Sequence, residues 1–481
     1  MTLDLDRRAL LQGLAMTGAA ALAQPATGKP GMTNRPNMIF IMADDLGYAD
    51  VSCYGRREYR TPAIDRIAAE GLKFTQAYSN SAVCSATRTA LMTGRYQNRL
   101  PIGLEEPLVA RDLGLPPEHP TLPSLLRDAG YTTALIGKWH LGRLPHYGPL
   151  KSGYDQFWGM RGGAVDYFTH ANAMGPDLWD DDTRTSAEGY LTDLLGDKAV
   201  AYVEDKAKGD KPFFLSLHFN APHWPWEGPD DQAESARIAA KKDPFAIFHF
   251  DGGTQAVYAE MVVRMDQQIG RVLDALERAG IADNTIIVFT SDNGGERFSD
   301  NWPFTGMKTE LLEGGLRVPL VVRWPGRIAP GSVSDQVTIT MDWVGTLLNA
   351  GGGKPDIAHP LDGIDLAPAF AGAAPTERTL CWRFKHLDQK ACRSGNLKYL
   401  EIGGNSFLFD VVADPLERAN LKDLQPDDFA RLKAIYGEWE RRMLPLDAES
   451  FTHGYSGVEL ADHFGVPHHV PAGLPPRPQG H

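Results

Sequence analysis

The segment from Asn37 to Asp45 reads NMIFIMADD, a short and mostly apolar run that ends abruptly in two carboxylates. A run of this length and composition is typical of a strand that is buried on both faces of a sheet. A helical pattern follows, in which Thr61 and Pro62 supply an N-cap and a first-turn proline and Gly71 supplies the end. The sequence therefore opens its folded part with a strand and then a helix.

The same alternation of strand and helix continues for about 250 residues. The apolar spacing predicts helices over 121–130, 191–203 and 262–276, and strands over 72–75, 132–136, 212–219 and 284–290. Strands that alternate with helices favour an α/β fold, with a large mixed sheet flanked by helices on both faces. We expect this catalytic domain to occupy residues 34–372.

The pattern changes after about residue 373. Short strand patterns then follow one another closely, at 380–384, 397–401 and 407–411, and a helical pattern covers 429–443. These elements predict a smaller α+β C-terminal domain over 373–466. The last residues, 467–481, are rich in Pro, Gly and His and are typical of an extended tail.

The first 33 residues have the pattern of an export signal and a linker. Arg7 and Arg8 precede an apolar run from Ala9 to Ala23, which ends in an A-x-A cleavage pattern. The paired arginines resemble a bacterial twin-arginine signal and predict a periplasmic protein. The alternative, an amphipathic N-terminal helix, leaves the cleavage pattern unexplained. No other run reaches the ~20 residues of a membrane span, so we expect a soluble mature protein.

Composition excludes several classes of protein. The chain has 481 residues, 43% of them hydrophobic, which is enough for a large core. Its 48 basic and 61 acidic residues give a net charge of −13, which argues against nucleic acid as a partner. Four cysteines in a chain this long do not form a disulfide framework.

Polar side chains follow four of the predicted strands. Asp44 and Asp45 follow the first, and the segments 138–140, 220–223 and 291–294 follow the others. The carboxyl edge of an open α/β sheet is where ligands bind, so we expect these segments to converge. The oxygen donors among them, Asp44, Asp45, Asp292 and Asn293, suit a hard cation, Ca²⁺ or Mg²⁺, better than zinc. Taken singly, each pair is equally consistent with a loop or a turn.

A third signal is the segment from Cys84 to Arg95, CSATRTALMTGR, whose residues 86–92 are compatible with a helix that ends at Gly94. Cys84 then lies at the helix N-terminus, where free N–H groups and the dipole favour an anion. Arg88 lies one turn further along the same face. The alternative is a buried structural cysteine beside a surface arginine.

Cys-x-Ala-x-Arg followed by Thr-Gly resembles the signature of the type I sulfatases, a family of the alkaline phosphatase superfamily. Further segments are similar to sulfatase motifs in the same order: NMIFIMADDLGY at 37–48, GKWHLG at 137–142, TSDNG at 290–294 and GMKTELLEGGLRVP at 306–319. The similarity extends from about Pro36 to Glu417. Several ordered motifs are far more specific than any one of them.

The resemblance implies a fold, a cofactor, partners and a set of site residues. It implies an alkaline phosphatase-like fold and hydrolysis of an aryl or carbohydrate sulfate ester. It also implies that a formylglycine-generating enzyme oxidises the cysteine to formylglycine. The residues it implies are the cation ligands Asp44, Asp45, Asp292, Asn293 and modified Cys84, the sulfate-binding Arg88, Lys138 and Lys308, and the proton-transferring His140 and His223.

Elementary chemistry supports these roles. Fixed positive charges stabilise the negative charge that spreads over a sulfuryl group in transfer. Lys138 and His140 are two residues apart, so an extended backbone would point both to one side. The ordinary pKa of His223, near 6.5, suits proton transfer at neutral pH.

Three questions stay open from the sequence. A phosphonate or phosphate ester hydrolase of the same superfamily is an alternative, and so is an anion-binding protein that has lost maturation. Cys381 and Cys392 are as compatible with a disulfide as with buried thiols. The natural substrate depends on loops such as 143–190 and 226–253, in which we find no decisive signal.

Overall fold

A computed structural model describes residues 35–109 and 111–454. The predicted signal peptide at 1–33 and the predicted tail at 467–481 lie outside the described residues. Among the described residues, the helices are all too short or too polar to cross a membrane.

The strands of the described part alternate with helices along most of its length. In chain order the strands are β1 (Asn37–Ala43), β2 (Leu72–Phe74), β3 (Ala77–Tyr78), β4 (Thr132–Lys138), β5 (Gln156–Met160), β6 (Ala171–Asn172), β7 (Gly175–Pro176), β8 (Trp179–Asp180), β9 (Thr183–Arg184), β10 (Phe213–His218), β11 (Thr285–Ser291), β12 (Leu320–Arg323), β13 (Ser332–Ser334), β14 (Thr338–Ile339), β15 (Thr379–Phe384), β16 (Gln389–Ser394), β17 (Leu397–Ile402) and β18 (Asn405–Asp410).

The helices vary from one turn to more than six. In chain order they are α1 (Pro62–Ala69), α2 (Cys84–Thr93), α3 (Leu122–Asp128), α4 (Leu191–Lys206), α5 (Gln232–Ala240), α6 (Gln255–Arg278), α7 (Glu313–Leu316), α8 (Asp342–Gly351), α9 (Ala367–Phe370) and α10 (Pro426–Glu440).

The main sheet contains ten of the described strands, in the order β13-β2-β12-β11-β1-β10-β4-β5-β8-β9. Its centre is parallel, since β11, β1, β10, β4 and β5 all run the same way. β12 runs antiparallel to both β11 and β2, which makes the sheet mixed, as predicted. The carboxyl ends of the central strands therefore meet at one edge.

Alternate residues of β1 pack into different cores on the two faces of the sheet. Ile39 and Ile41 belong to a core that includes Met265 and Ile269 of α6. Phe40 and its neighbours on the other face belong to a core that includes Trp343 of α8 and Leu126 of α3. Burying one such side chain contributes about 1.5–3 kcal/mol, so helices on both faces hold β1 in register. The predicted layer arrangement is confirmed.

A second sheet of four antiparallel strands, β15-β16-β17-β18, packs with α10 and forms the C-terminal α+β part. The sequence analysis missed β16, whose residues QKACRS are mostly polar and carry a weak strand pattern. Cys381 and Cys392 are direct cross-strand neighbours on β15 and β16. Both are buried free thiols with their sulfur atoms 3.1 Å apart.

Two predicted boundaries differ from the structure in informative ways. β4 continues to Lys138, two residues beyond the predicted end, and so carries the lysine itself. α6 begins at Gln255, well before the first residue of its apolar pattern, because Thr254 caps it by accepting a hydrogen bond from the Val257 amide at 3.2 Å.

Candidate active site

The central strands deliver most of the site at their carboxyl ends. Asp44 and Asp45 follow β1, Asp292 and Asn293 follow β11, and all four are buried. We call these four residues the oxygen cluster. Adjacent parallel strands hold them together, because the Asp292 amide donates to the Ala43 carbonyl and the Asp45 amide donates to Asp292 Oδ1, both at 3.2 Å. The predicted convergence is therefore present.

α2 brings the cysteine and the arginine into the same place. Cys84 is the first residue of this helix and only 2% exposed. Arg88, one turn on, donates from Nε and Nη2 to Asp292 Oδ2 at 3.0 and 2.8 Å. Its Nη1 donates to the Lys138 carbonyl at 3.2 Å. The helix thus fixes Arg88 between the ends of β11 and β4.

Two buried lysines complete the positive charge of the site. Lys138 Nζ lies 2.5 Å from Asp44 Oδ2, and Lys308 Nζ lies 2.6 Å from Asp45 Oδ2. With Arg88 these residues form what we call the cationic cluster. Its three charges formally cancel the three carboxylates of the oxygen cluster. A divalent cation added to the set would leave it positive, which favours an anionic substrate.

The oxygen cluster has the chemistry of a hard-cation site. Among the described residues, Asp44 Oδ1 and Asn293 Oδ1 are buried without a hydrogen-bond partner. Ligand atoms of Asp44, Cys84 and Asp292 lie within 4.8 Å of one another, and so do those of Asp44, Asp45 and His223. Burial, and then the charge of Asp292, raise the pKa of Asp44 well above its usual value. Unpaired oxygens and crowded carboxylates are what a divalent cation satisfies.

His140 faces Cys84 with one ring nitrogen and the backbone with the other. Its Nε2 donates to the Leu108 carbonyl at 2.7 Å, because a carbonyl oxygen only accepts. In the neutral ring this leaves a lone pair on Nδ1, which lies 3.2 Å from Cys84 Sγ. Burial, and then the charge of Lys138, lower the pKa of His140 well below its usual value. The imidazole is therefore neutral and able to accept a proton from residue 84.

His140 also shows that a correct expectation had an incorrect reason. Lys138 and His140 do point into the same site, as predicted from their spacing. The backbone is not extended, however, because His140 adopts a φ of 56° in the left-handed region. Asp45 has a φ of 62°, and Thr309, which follows Lys308 in the sequence, has a φ of 73°. Backbone strain at three positions of one site is typical of side chains held for function.

His223 lies on the opposite side of the site, in the segment after β10. Its Nδ1 donates to the Trp224 carbonyl at 2.8 Å, and its Nε2 lies 3.4 Å from Asp45 Oδ2. Burial, and then Lys308 and Lys138, lower the pKa of His223 well below its usual value. The pKa of His223 therefore lies below the near-neutral value expected from the sequence, because burial and two nearby lysines disfavour the protonated ring.

The structure adds two buried residues that the sequence analysis missed. His218 ends β10, and its Nδ1 lies 3.3 Å from Arg88 Nη1, so it sits behind the arginine. Burial lowers the pKa of His218 to about 3. Glu296 Oε2 lies 4.0 Å from Lys308 Nζ, and burial raises the pKa of Glu296 to about 7. A polar residue at the end of an apolar strand was the available signal for His218.

A close approach of the backbone supports the orientation of His140. At Gly163 a Cβ atom would lie only 2.7 Å from His140 Cε1. A residue without a side chain is needed here, because any larger residue pushes on the imidazole. The loop after β5 therefore forms one wall of the site.

Comparisons with known proteins show what this chain is similar to. A family model described as Sulfatase matches residues 36–353. N-acetylgalactosamine-6-sulfatase of Canis lupus familiaris is 32% identical over 391 residues, which are 75% of this chain and 70% of that protein. Steryl-sulfatase of Mus musculus is 33% identical over 442 residues, covering 73% and 67%. The crystal structure of Ps i-CgsB in complex with k-i-k-neocarrahexaose is 29% identical, with a TM-score of 0.78 over 88% of this chain and 96% of that one.

Proposed function

The chain belongs to the sulfatase family, and from this premise we propose that it hydrolyses an aryl or carbohydrate sulfate ester with formylglycine at position 84 and Ca²⁺ in the oxygen cluster. The observation that carries the proposal is the arrangement around Cys84. Cys84 lies at the N-terminus of a helix. The site around it contains three buried cationic side chains, the buried oxygen cluster and two buried histidines, His140 and His223. No single element could supply this set.

An unmodified thiol is a poor nucleophile in this position. Burial raises the pKa of Cys84, so the sulfur stays protonated at neutral pH. Formylglycine in its hydrated form supplies an oxygen nucleophile instead. An oxygen at this position would lie near Asp44 and Asp292, because ligand atoms of these two residues and Cys84 lie within 4.8 Å of one another. Within the described residues, no side chain caps the α2 N-terminus at Val83, which leaves its dipole directed at residue 84.

The cation ligands would be Asp44, Asp45, Asp292, Asn293 and an oxygen of the modified residue 84. A bound Ca²⁺ supplies positive charge that favours the ionised form of a nearby oxygen and draws electron density from the sulfuryl group. The donor set consists of oxygen atoms, which suits Ca²⁺ or Mg²⁺ and disfavours zinc.

The cationic cluster binds the sulfate oxygens and stabilises the charge that grows on them. Arg88, Lys138 and Lys308 are each nearly fully buried, so little water screens their charges. Their positions are set before the substrate arrives, which is the condition for electrostatic stabilisation of a transition state. A bound sulfate ester would also replace carboxylate oxygens as the partner of the two lysines.

The two histidines divide the proton transfers between them. A bound sulfate anion opposes the charges of Lys138 and Lys308, which raises the proton affinity of His223 Nε2. His223 then donates this proton to the leaving oxygen as the S–O bond breaks. One hydroxyl oxygen of hydrated residue 84 would take over the sulfuryl group as the ester S–O bond breaks. His140 Nδ1 would then accept the proton of the remaining hydroxyl, so that the bond between the residue 84 carbon and the sulfate oxygen breaks, sulfate leaves and the aldehyde is restored.

We also propose a location and a maturation partner. The paired arginines and cleavage pattern of residues 7–23 support export to the periplasm by the twin-arginine route. Formylglycine requires a separate enzyme that oxidises Cys84, and the 2% exposure of Cys84 in the folded chain requires that this happens before folding is complete. The natural ester is an aryl or saccharide sulfate.

The test is a comparison of matched substrates with protein whose residue 84 has been verified by peptide mass spectrometry. We expect turnover of 4-nitrophenyl sulfate with a higher kcat/KM than the matched phosphate and phosphonate esters. A higher kcat/KM for phosphonate would favour the phosphonate hydrolase alternative. Unmodified cysteine in protein from the native host, together with sulfate binding but no turnover, would favour an anion-binding protein.

A further inference from the structure

A series of aromatic rings extends from the candidate site to the protein surface. We call this series the aromatic ladder, and its members are Trp224, Phe245, Phe248, Phe250, Phe451 and His453. Phe248 lies at its centre, 4.5 Å from the Trp224 ring, 5.6 Å from Phe250 and 6.1 Å from Phe245. Phe248 and Phe250 are parallel to within 4°. Such stacked contacts are the preferred geometry of aromatic pairs.

The inner end of the aromatic ladder touches a catalytic side chain. The ring centroids of His223 and Trp224 are 4.1 Å apart, and His223 donates its Nδ1 proton to the Trp224 carbonyl. His223 is the residue that we place at the leaving oxygen of the ester. The first atom of the alcohol is bonded directly to this oxygen. The leaving alcohol would thus lie beside His223 and the adjoining Trp224 ring.

The outer end of the aromatic ladder is open to solvent. Phe245 is 50% exposed, Phe250 is 45% exposed and Phe451 is 39% exposed, while Trp224 and Phe248 are half-buried. Exposure thus increases from the buried His223 outward. A contiguous exposed apolar surface that begins at an active site is typical of a binding surface.

The aromatic ladder also returns to the other histidine of the site. Phe248 stacks with His453 at 6.2 Å, and the His453 amide donates to the Glu106 carbonyl at 2.8 Å. Two residues on, the Leu108 carbonyl accepts the Nε2 proton of His140. The rings are therefore connected by direct contacts to the segment that positions His140 as well as to His223.

Arg297 is one of the residues that hold the loop carrying Phe248 and Phe250. Arg297 donates to the carbonyls of His249 and Phe250 at 2.9 and 3.3 Å, and its guanidinium lies 3.9 Å from the centre of the Trp226 ring. Arg297 is adjacent in sequence to Glu296, which lies beside Lys308. The loop that carries Phe248 and Phe250 is thus connected to Lys308 through Arg297 and Glu296. This connection favours one orientation of the rings before a ligand binds.

We propose that the aromatic ladder is the subsite for the leaving alcohol, and that it selects alcohols whose ring presents a flat apolar face. This inference rests on the proposed function, because that function places His223 at the leaving oxygen. The chemistry is shared by the ring of a phenol or sterol and by the C–H face of a pyranose. Phenylalanine offers a face and no hydrogen-bonding group, so the ladder recognises the shape of a ring rather than its hydroxyl pattern.

The test uses full-length, formylglycine-verified protein and the variants Phe250→Ala and Phe248→Ala. Their kcat and KM are measured with 4-nitrophenyl sulfate and with a pyranose monosulfate. Inorganic sulfate serves as a competitive inhibitor that has no alcohol part. We expect KM to rise roughly three- to tenfold for ring-bearing esters, the size of one aromatic contact, while the inhibition constant of sulfate is unchanged. Phe250→Trp should restore KM, and Ile357→Ala, which removes an apolar side chain 96% exposed outside the ladder, should change nothing.

The arms separate the two sources of the ring. A larger loss with the aryl ester identifies a phenolic or sterol alcohol, and a larger loss with the pyranose ester identifies a sugar. If, for each ester, KM is the same in both variants as in wild type, the proposal is overturned. An inhibition constant of sulfate that rises as much as KM would also overturn it, because the rings would then act only through the fold of the site. Failure of the wild-type enzyme to turn over any sulfate ester would instead refute the proposed function.

Discussion

His140 Nδ1 lies 3.2 Å from Cys84 Sγ, and the direction of proton transfer between the two is set by a third group, the Leu108 carbonyl. The carbonyl binds the Nε2 proton, so the neutral ring presents its lone pair to residue 84. This arrangement orients a base toward the nucleophile position before any substrate arrives.

Removing the side chain of residue 84 should abolish turnover and leave the fold intact. Cys84→Ala deletes the atom that faces His140, and we expect kcat to fall by roughly 10⁴-fold or more. The checks are turnover of 4-nitrophenyl sulfate and the thermal unfolding midpoint, with wild type purified in parallel. Activity near that of wild type would exclude position 84 from the mechanism.

Changing the oxygen cluster should lower both metal content and rate. Asp292→Ala removes a cation ligand and the partner of Arg88, so we expect loss of bound Ca²⁺ and at least about a 10³-fold fall in kcat/KM. Asp292→Asn is the matched control, since it keeps one oxygen. Elemental analysis measures the metal. Stoichiometric zinc in the wild-type protein, or full activity after exhaustive chelation, would contradict the Ca²⁺ assignment.

A single methyl group at Gly163 should disturb the base without removing it. Its Cβ would lie 2.7 Å from His140 Cε1, so Gly163→Ala should displace the ring. Misplacing a catalytic group by about 1 Å costs on the order of 10²-fold, and we expect this in kcat more than in KM. Gly270→Ala in α6, where the new Cβ meets its nearest neighbour at 3.5 Å, is the control. An unchanged kcat for Gly163→Ala would show that the orientation of His140 is unimportant.

The stability of the protein should fall as pH rises, in part because of one buried carboxyl group. Burial and the neighbouring Asp166 raise the pKa of Glu227 to about 10, far above the value of an unfolded chain near 4.3. Between those two values the folded state binds the extra proton, so stability declines with rising pH across that range. Glu227→Gln removes this titration. The unfolding midpoint of Glu227→Gln relative to that of wild type should rise steadily from pH 6 to pH 9.5. Unfolding midpoints of the two proteins that change in parallel with pH would refute the assignment.

Export should be linked to maturation. If Arg7 and Arg8 form a twin-arginine signal, which carries folded proteins, then Cys84 must be converted and buried before the chain leaves the cytoplasm. Changing Arg7 and Arg8 together to Lys should trap active, uncleaved enzyme inside the cell. Sulfatase activity in the cytoplasmic and periplasmic fractions, with peptide mass spectrometry across residues 82–88, measures this. A retained, soluble protein with unmodified Cys84 would show that maturation follows export.

Much of the site could be predicted because it lies where strands end. The apolar run at 37–43 reveals a buried strand, and the carboxylates after it reveal the carboxyl edge of the sheet. The order of the strands was not visible in the same way. β10 lies between β1 and β4, and that placement alone puts His218 behind Arg88.

Long-range contacts account for what the sequence analysis missed. The aromatic ladder joins a loop near residue 248 to a segment near residue 453, and neither has a strong local pattern. The proton position on His140 depends on the Leu108 carbonyl, which is distant in sequence and becomes a neighbour only in the fold. The proton position on His223 depends on the carbonyl of the next residue, Trp224. The left-handed backbone of His140 likewise follows from its surroundings, since residues other than glycine seldom adopt that conformation.

The pairing of Glu106 with Thr452 has a consequence for the order of events on the ribosome. Groups that lie around Cys84 are synthesised late, since Asp292 follows Arg88 by 204 residues. The Thr452 segment, which pairs with Glu106, comes later still. At about 5–20 residues per second, translation from position 84 to position 452 takes roughly twenty to seventy seconds. During that interval the nascent chain presents the cysteine without its enclosing neighbours. The enzyme that oxidises Cys84 therefore has this interval in which to reach it. Slowing or speeding translation of the C-terminal third should change the fraction of chains that carry formylglycine at position 84 when they leave the ribosome.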